Sequence, residues 1–388
     1  MTDPVVLFLA GLVGLALGSF PNVCVARWPR RGSVVRPRSA CPACSATIRW
    51  YDQVPVVSWF LLRARCRKCG ARISLGYPLV EASGAAICVL AVLTRGVSLE
   101  ASGAAFLLLV LLGIALTDAR FYLIPDQFSL GGAAAGVALS LAPGGITPGS
   151  AALGVVVGFG GMWLVGTAGT RVLARARPGR LEEAAREHEQ GRRRIRDARA
   201  VRILARPRVQ LAALLPALPV MVLAGWWFGP VGVAAAVAAA AAGLAVLVAW
   251  VEGLGEDADA AAPVSPAVPA HAQEPAPLED PAQGQEPAPL EDPVHPDDSA
   301  RAVTPTAALG GGDIKMMALV GAFTGPWGAV LTVFLAAFAG LLAYLKVRLL
   351  LGTRHLVPLG VFLAVGAAVT LWWGQALLDW YLGLSGLT

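Results

Sequence analysis

The sequence predicts an all-α, polytopic membrane protein. Of its 388 residues, 56% are hydrophobic and only 14% are charged, with a mean hydropathy of +0.64. An average soluble domain carries about a quarter charged residues. The apolar residues are concentrated in runs that approach the roughly 20 residues a spanning helix needs. Arginines cluster between those runs, as in cytoplasmic loops, so the net charge of +6 is no sign of nucleic-acid binding.

Ten apolar runs are candidates for membrane-spanning helices, and 314–325 is the weakest of them because it is short. They lie at residues 4–20, 79–95, 101–117, 128–142, 150–173, 209–228, 230–251, 314–325, 327–346 and 357–375. With the N-terminus outside, alternating spans return the arginine-rich blocks to one side, the cytoplasmic side. Basic residues follow the first run and none precedes it, which predicts an uncleaved span and not a secretory leader.

Two segments between the runs have the composition of soluble chain. Residues 174–208 are basic and predict a cytoplasmic helix, either solvated or associated with anionic lipid. Residues 252–308 are rich in Pro, Ala and acids and repeat QEPAPLEDP, which predicts a disordered linker. The predicted parts are a first transmembrane helix at 1–25, a cytoplasmic cysteine module at 26–78, membrane helices at 79–173, the basic helix at 174–208, an extra transmembrane hairpin at 209–251, the linker at 252–308, and a glycine-rich aspartate segment with C-terminal membrane helices at 309–388.

Four of the six cysteines form two CxxC pairs with 21 residues between them. This spacing is typical of a structural site in which four thiolates hold one zinc ion, and a cytoplasmic location favours reduced thiols. The predicted ligands are Cys41, Cys44, Cys66 and Cys69. Cys24 and Cys88 lie within or beside apolar runs and are predicted to be small buried hydrophobes.

Three aspartates stand at the ends of apolar runs. Asp118 ends the third run in LTDARFYLIPD, Asp126 follows a proline, and Asp313 follows three glycines in LGGGDIK. An even number of predicted spans separates Asp118 from Asp313, and this parity puts the two aspartates on the same side of the membrane. Acids at membrane depth are costly and are functional by default. The alternative is that all three cap helices, which Asp118 fits least because a helix C-terminus disfavours an anion.

A close pair of carboxyl groups predicts aspartyl protease chemistry. One of them retains a proton while the other stays charged, so together they can activate water and protonate a leaving group. The glycines before Asp313 permit close backbone approach, and GGGDIK lacks the spacing of a phosphate-binding loop. Two rival predictions are a transporter or channel that uses the acids as a proton relay, although no inverted repeat is seen, and a membrane scaffold that docks through the cysteine module.

These motifs together resemble the type IV prepilin peptidases, membrane aspartyl proteases of the GxGD type. The resemblance rests on TDARFYLIPD, GGGDIKMMALVGAFTG, GSFPNVCVARWPR, GYPLVEASGA and the two CxxC pairs, and it excludes about 174–308. It implies catalytic roles for Asp118 and Asp313, with Asp126 as the reserve candidate. Lys315 flanks the acids in the sequence and is a supporting candidate that would tune them. For Lys315 the alternative is anchoring at the membrane surface. It also implies about eight family-type transmembrane helices and a small cytoplasmic zinc-binding module. The predicted hairpin at 209–251 adds two helices to the family pattern.

The resemblance implies an enzyme of the bacterial cytoplasmic (inner) membrane whose active site faces the cytoplasm. It would cleave the leader peptide of type IV prepilins or pseudopilins and then N-methylate the new N-terminal residue. The methyl donor, S-adenosylmethionine, follows from the resemblance alone, since no donor site is visible in the sequence. Membrane lipid is the other expected partner and nucleic acid is not. The chain departs from the family in the insertion at 174–308 and in RHLVPLGVFLAVG at 354–366.

Overall fold

The computed structural model describes residues 3–30, 32–176, 309–351 and 358–385. These residues form helices and loops without a β-strand, which confirms the predicted all-α fold for this part of the chain. The helices are α1 (Pro4–Arg27), α2 (Val57–Leu61), α3 (Gly76–Arg95), α4 (Leu99–Phe121), α5 (Asp126–Ser140), α6 (Pro148–Ala176), α7 (Gly311–Leu351) and α8 (Leu359–Ser385). Short 3₁₀ turns lie at Trp28–Arg30 and Trp50–Gln53.

Six of the described helices are long and apolar enough to cross a membrane: α1, α3, α4, α6, α7 and α8. The chain is therefore a multi-pass membrane protein. Helix α5 has 15 residues, the same length as the apolar run at 128–142 that predicted it. The predicted extra hairpin at 209–251 and the linker at 252–308 lie outside the described residues, as does almost all of the predicted basic helix at 174–208.

The helices extend beyond the apolar runs that predicted them. Helix α1 continues past the run at 4–20 as far as Arg27, because backbone hydrogen bonding does not stop where hydropathy falls. The runs at 314–325 and 327–346 belong to one element, α7, with a sharp kink between its two halves. Gly325 at the kink has φ 71° and ψ −176°. The following Pro326 disfavours helical geometry in the residue before it, so the predicted boundary falls at the kink.

The first half of α7 lies in the centre of the helix bundle. Met316, Met317, Leu319 and Val320 are fully buried there, and α7 packs against α4, α5, α6 and α8. Its contact with α6 is very close, because a β-carbon at Gly154 would lie 2.1 Å from the Gly321 carbonyl oxygen. This packing fixes the beginning of α7, and with it the GGGD segment, against the ends of its neighbours.

Candidate active site and metal centre

Asp118 lies in the last turn of α4 and its side chain is buried, with 7% of the residue exposed. Its carboxyl group faces the backbone N–H groups of Gly360 and Val361 in the first turn of α8. The unpaired N–H groups at a helix N-terminus favour a negative charge, so α8 offsets the unfavourable end of α4. Asp118 Oδ2 is nevertheless buried without a hydrogen-bond partner among the described residues. An acceptor oxygen of this kind is available to a reacting proton.

Asp313 lies in the first turn of α7. Its carboxyl group turns back to the backbone N–H of Gly310, and a β-carbon at Gly310 would lie 2.9 Å from Asp313 Oδ2. An acid at the third position of a helix can accept a hydrogen bond from the backbone N–H of the residue that precedes the helix. Asp313 and Gly310 have this arrangement. Gly310 therefore leaves room for the carboxyl group and also holds it in place.

The structure brings Asp118 and Asp313 together at one end of the bundle, where the two carboxyl groups are electrostatic neighbours. Ile124 lies between the two supporting segments. A β-carbon at Gly312 would meet Ile124 Cβ at 2.9 Å, and one at Gly360 would meet Ile124 Cδ1 at 3.1 Å. The ends of α4, α7 and α8 therefore converge on the buried Asp118 and the partly buried Asp313, on one side as the parity argument predicted.

Asp126 and Lys315 form an ion pair beside these acids. Lys315 Nζ donates to Asp126 Oδ1 at 2.7 Å and to Oδ2 at 3.0 Å. Asp126 is the first residue of α5 and Pro125 occupies its cap position, so the helix-cap alternative is wrong for Asp126. Since Lys315 is two residues from Asp313, the pair joins the start of α5 to the start of α7.

Sequence reasoning missed Gly360 as a functional residue. It lies in the stretch 354–366 that departs from the family pattern, but only the tertiary structure shows its contact with Asp118. The available signal was a glycine at the start of an apolar run, where a helix can approach another group closely.

The four predicted metal ligands meet in one cluster. The Sγ atoms of Cys41, Cys44, Cys66 and Cys69 all lie within 4.8 Å of one another, and Cys41 Sγ is 3.8 Å from Cys69 Sγ. In a tetrahedral zinc site with Zn–S bonds of about 2.3 Å, the sulfurs are about 3.8 Å apart. The donor set and its spacing therefore fit a four-thiolate metal ion.

The two CxxC segments have the same backbone hydrogen bonds, 25 positions apart in the chain. The N–H of Cys41 donates to Ala46 and the N–H of Cys66 donates to Ala71, at 3.0 and 2.8 Å. A tight return follows each pair, with Ser45 and Gly70 at φ 54° and 72°. These turns direct both sulfurs of each pair to the same point.

Backbone amides also favour the ionised form of one ligand. The N–H groups of Cys69 and Lys68 lower the pKa of the Cys66 thiol to about 6. Because the thiolate is the form that binds a metal, the folded turn prepares this sulfur for metal binding.

The fold and the site define a multi-pass helical membrane protein with two neighbouring acids at converging helix ends and a cysteine cluster on a loop module. Residues 12–95 match the Bacterial Peptidase A24 N-terminal domain, and residues 204–345 match the Type IV leader peptidase family. The chain belongs to the type IV leader peptidase family, which confirms the resemblance seen in the sequence. The second match begins at residue 204, within the stretch 174–308 that the resemblance had excluded. Asp313 and the four cysteines lie within the matched ranges, whereas Asp118 and Asp126 lie between them.

Several relatives are named prepilin leader peptidase/N-methyltransferase. The one from Klebsiella pneumoniae is 34% identical over 160 residues, which cover 40% of this chain and 70% of that protein. The relative from Myxococcus xanthus (strain DK1622) is 39% identical over 148 residues, which cover 38% of this chain and 44% of that protein. The one from Neisseria gonorrhoeae is 30% identical over 187 residues, which cover 42% and 65%.

The chain thus spans between about half and two thirds of the length of the first relatives that it matches. No solved structure matches it. The names of these relatives give no support to the alternative of a proton-relay transporter.

Proposed function

We propose that this protein is a membrane endopeptidase that removes the leader peptide from type IV prepilins or pseudopilins, with Asp118 and Asp313 as its catalytic pair. The observation that carries the proposal is the meeting of the buried Asp118 with the partly buried Asp313, which come from the end of α4 and the beginning of α7. The names of the relatives support the substrate class.

The two acids divide the work of peptide hydrolysis. The charged carboxylate takes a proton from water, and the protonated carboxyl group donates a hydrogen bond to the scissile carbonyl. The water oxygen bonds to the carbonyl carbon, and the C–N bond then breaks as the leaving nitrogen receives a proton from the pair. The proton belongs to the pair as a whole, so no fixed role is assigned to either aspartate.

Asp126 and Lys315 act as supporting residues in this proposal. Their ion pair holds the first turn of α7 against the first turn of α5, which fixes the position of Asp313 relative to Asp118. An exposed pair contributes little to global stability, about 1 kcal/mol or less. Its contribution is therefore to the alignment of the acids, because small displacements of catalytic groups cost large factors in rate.

We further propose that Cys41, Cys44, Cys66 and Cys69 hold a structural Zn²⁺. The ion would crosslink the two CxxC turns of a module that has little apolar core of its own. It takes no part in the cleavage step.

The proposed second activity is N-methylation of the new N-terminal residue with S-adenosylmethionine, supported by the names of the relatives. The cavity of about 720 Å³ among α1, α3, α4 and α5 does not fit this charged donor, because its lining is almost wholly apolar. We therefore assign no residue to the donor. The proposed location is the bacterial cytoplasmic membrane with the acids on the cytoplasmic side, as the arginine-rich loops favour.

Co-expression with a candidate prepilin, followed by mass measurement of the pilin N-terminus, tests both activities. Cleavage removes the mass of the leader, and methylation adds the mass of one CH2 unit, because a methyl group replaces a hydrogen. An intact prepilin, with this protein present in the membrane, would contradict the proposed peptidase activity.

A further inference from the structure

The cysteine module exposes a set of apolar side chains. They belong to helix α2 and to Val54, which lies three residues before that helix. The set, called here the apolar patch, consists of Val54, Val57, Phe60 and Leu61. Phe60 and Leu61 are the most exposed, at 66% and 77%. Positions 57, 60 and 61 follow the spacing that puts side chains on one face of a helix, so the patch is continuous and not a scatter of single residues.

The turn before the patch is held against the first turns of a membrane-length helix. The N–H of Val56 donates to Glu81 Oε2 at 2.6 Å. Glu81 is five positions into α3, which places it about 7.5 Å from the beginning of that helix at 1.5 Å per residue. Helix α3 is one of the membrane-length helices, and it begins at Gly76. The turn before α2 is therefore held beside the N-terminal turns of α3, a helix long enough to span a membrane.

The polar groups around α2 fix which face points outward. Ser58 is buried and its hydroxyl donates to the Tyr51 carbonyl at 3.0 Å, while Trp59 Nε1 donates to the Ile73 carbonyl at 3.3 Å. Both bonds turn the side of α2 that carries Ser58 and Trp59 toward the module. The opposite side, with Phe60 and Leu61, is left facing away from the protein.

Helix α1, which packs beside this turn, has an exposed apolar surface. Only 17% of an 18-residue apolar stretch of α1 is buried. Leu17 and Phe20, near the cytoplasmic end of this helix, are about half exposed. Helix α1 contacts α3 where Gly18 meets Glu81, which is the residue that holds the turn before α2. The apolar patch therefore lies near a membrane-length helix whose exposed apolar side chains already require lipid.

The charge of the module favours an anionic surface. Residues 28–75 contain ten arginines and lysines and one acid, Asp52. That acid is already paired with Arg67 at 2.7 Å. Arg63 and Arg65 are exposed immediately after the patch. Each cation near an anionic leaflet is attracted to the lipid phosphates.

We propose that the apolar patch inserts into the boundary between headgroups and acyl chains of an anionic leaflet, with Arg63 and Arg65 on the lipid phosphates. This combination of exposed apolar side chains and basic neighbours is that of interfacial membrane-binding segments. The insertion anchors the cysteine module on the membrane surface at the end of α1 and α3. It does not depend on the proposed peptidase activity.

Depth-dependent fluorescence quenching tests the insertion in the full-length protein. A dansyl-bearing amino acid is introduced at Leu61, and in a second variant at Thr47, an exposed polar position on the same module. Both proteins are reconstituted in liposomes of phosphatidylethanolamine and phosphatidylglycerol. We expect the probe at 61 to show a blue-shifted emission that is lost with nitroxide-labelled lipid and kept with aqueous iodide. The probe at 47 should show the reverse.

Three outcomes overturn the proposal. Iodide quenching at both positions would mean that the patch lies in water, and protection of position 61 from both quenchers would mean that protein covers it. Lipid quenching at both positions would show contact of the whole module and no specific role for the patch. Metal retention by each labelled protein reports whether the module is still folded. A second variant, Arg63→Gln with Arg65→Gln, should lower lipid quenching at 61 in liposomes rich in phosphatidylglycerol and change it little where phosphatidylglycerol is scarce.

Discussion

Gly360 approaches Asp118 so closely that a β-carbon on Gly360 would lie 2.8 Å from Asp118 Oδ2 and 3.1 Å from its Cγ. The first turn of α8 can therefore direct its backbone N–H groups at the carboxyl group. A buried acid at the C-terminal end of one helix thus lies at the N-terminal end of another, which stabilises its charged form by the opposite end of a helix dipole.

Removing either acid should abolish leader cleavage without unfolding the protein. In Asp118→Asn and Asp313→Asn the side-chain volume is kept, but the pair loses the group that exchanges a proton with water. We expect at least about a thousandfold slower prepilin shortening, as is usual when one member of a catalytic unit is lost. The measurement is single-turnover cleavage in detergent or liposomes.

The matched control is Asp379→Asn, which changes an exposed aspartate in α8 that is hydrogen-bonded to Gln375. This variant should cleave at the normal rate. Cleavage at the normal rate by either Asp118→Asn or Asp313→Asn would exclude that residue from the chemistry.

Gly360→Ala should lower the cleavage rate while the protein still inserts and folds. The added methyl group displaces either the Asp118 carboxyl group or the beginning of α8, since both cannot keep their positions. A displacement of this size costs about tenfold to a hundredfold in rate when it misaligns a catalytic group. Gly131→Ala is the control, because nothing lies within 4 Å of a β-carbon there. Equal rates for the two variants would show that the Gly360 contact is not needed.

Much of the fold and of the candidate site could be predicted from the sequence, because hydropathy and charge act along the chain. The apolar runs predicted the long helices, and the alternation of arginine-rich loops predicted that Asp118 and Asp313 share one side. The CxxC spacing predicted the cysteine cluster, since each turn is built from a few consecutive residues.

The contacts between distant segments could not be predicted in the same way. The pairing of Lys315 with Asp126 depends on how α5 and α7 pack, and nothing in either local sequence specifies the partner. The same is true of Gly360, whose role appears only when α8 lies against α4. The use of Glu81 as an acceptor for the Val56 amide likewise depends on how a loop returns to a helix.

Breaking the Lys315–Asp126 ion pair should slow cleavage, and exchanging its charges should restore part of the rate. Lys315→Met and Asp126→Asn each remove one partner of the 2.7 Å contact, so the start of α7 is no longer tied to α5. The double variant Asp126→Lys with Lys315→Asp rebuilds the pair in the opposite order. We expect each single change to reduce kcat more than it raises KM, since the acids are misaligned and the binding surface is intact.

The charge exchange decides whether the pair acts through its contact. If the double variant is as slow as the single variants, the ion pair is not what positions Asp313. Arg171→Met removes an exposed cation at the C-terminal end of α6 and should leave the rate unchanged.

Cys41→Ser should release the metal from the purified protein, whereas Cys88→Ser should keep it. Cys41 is one of the four sulfurs that lie within 4.8 Å of one another, and loss of one thiolate from a four-thiolate site removes most of its affinity. Cys88 is buried within α3, outside the cluster. The measurement is metal content by elemental analysis after dialysis. Equal zinc content in the two variants would contradict the assignment of these ligands.

Ser45→Gly should make the cysteine module more stable, and Gly70→Ala should make it less stable. The two residues occupy equivalent positions after the two CxxC pairs, and both have positive φ. Glycine adopts this geometry without the steric cost that a β-carbon brings, so each change is expected to shift the free energy of folding by about 0.5–1 kcal/mol. The resistance of bound metal to a chelator reports that difference, because metal binding and folding are linked in such modules. If Gly70→Ala holds its metal as firmly as the unchanged protein, the equivalence of the two turns is wrong.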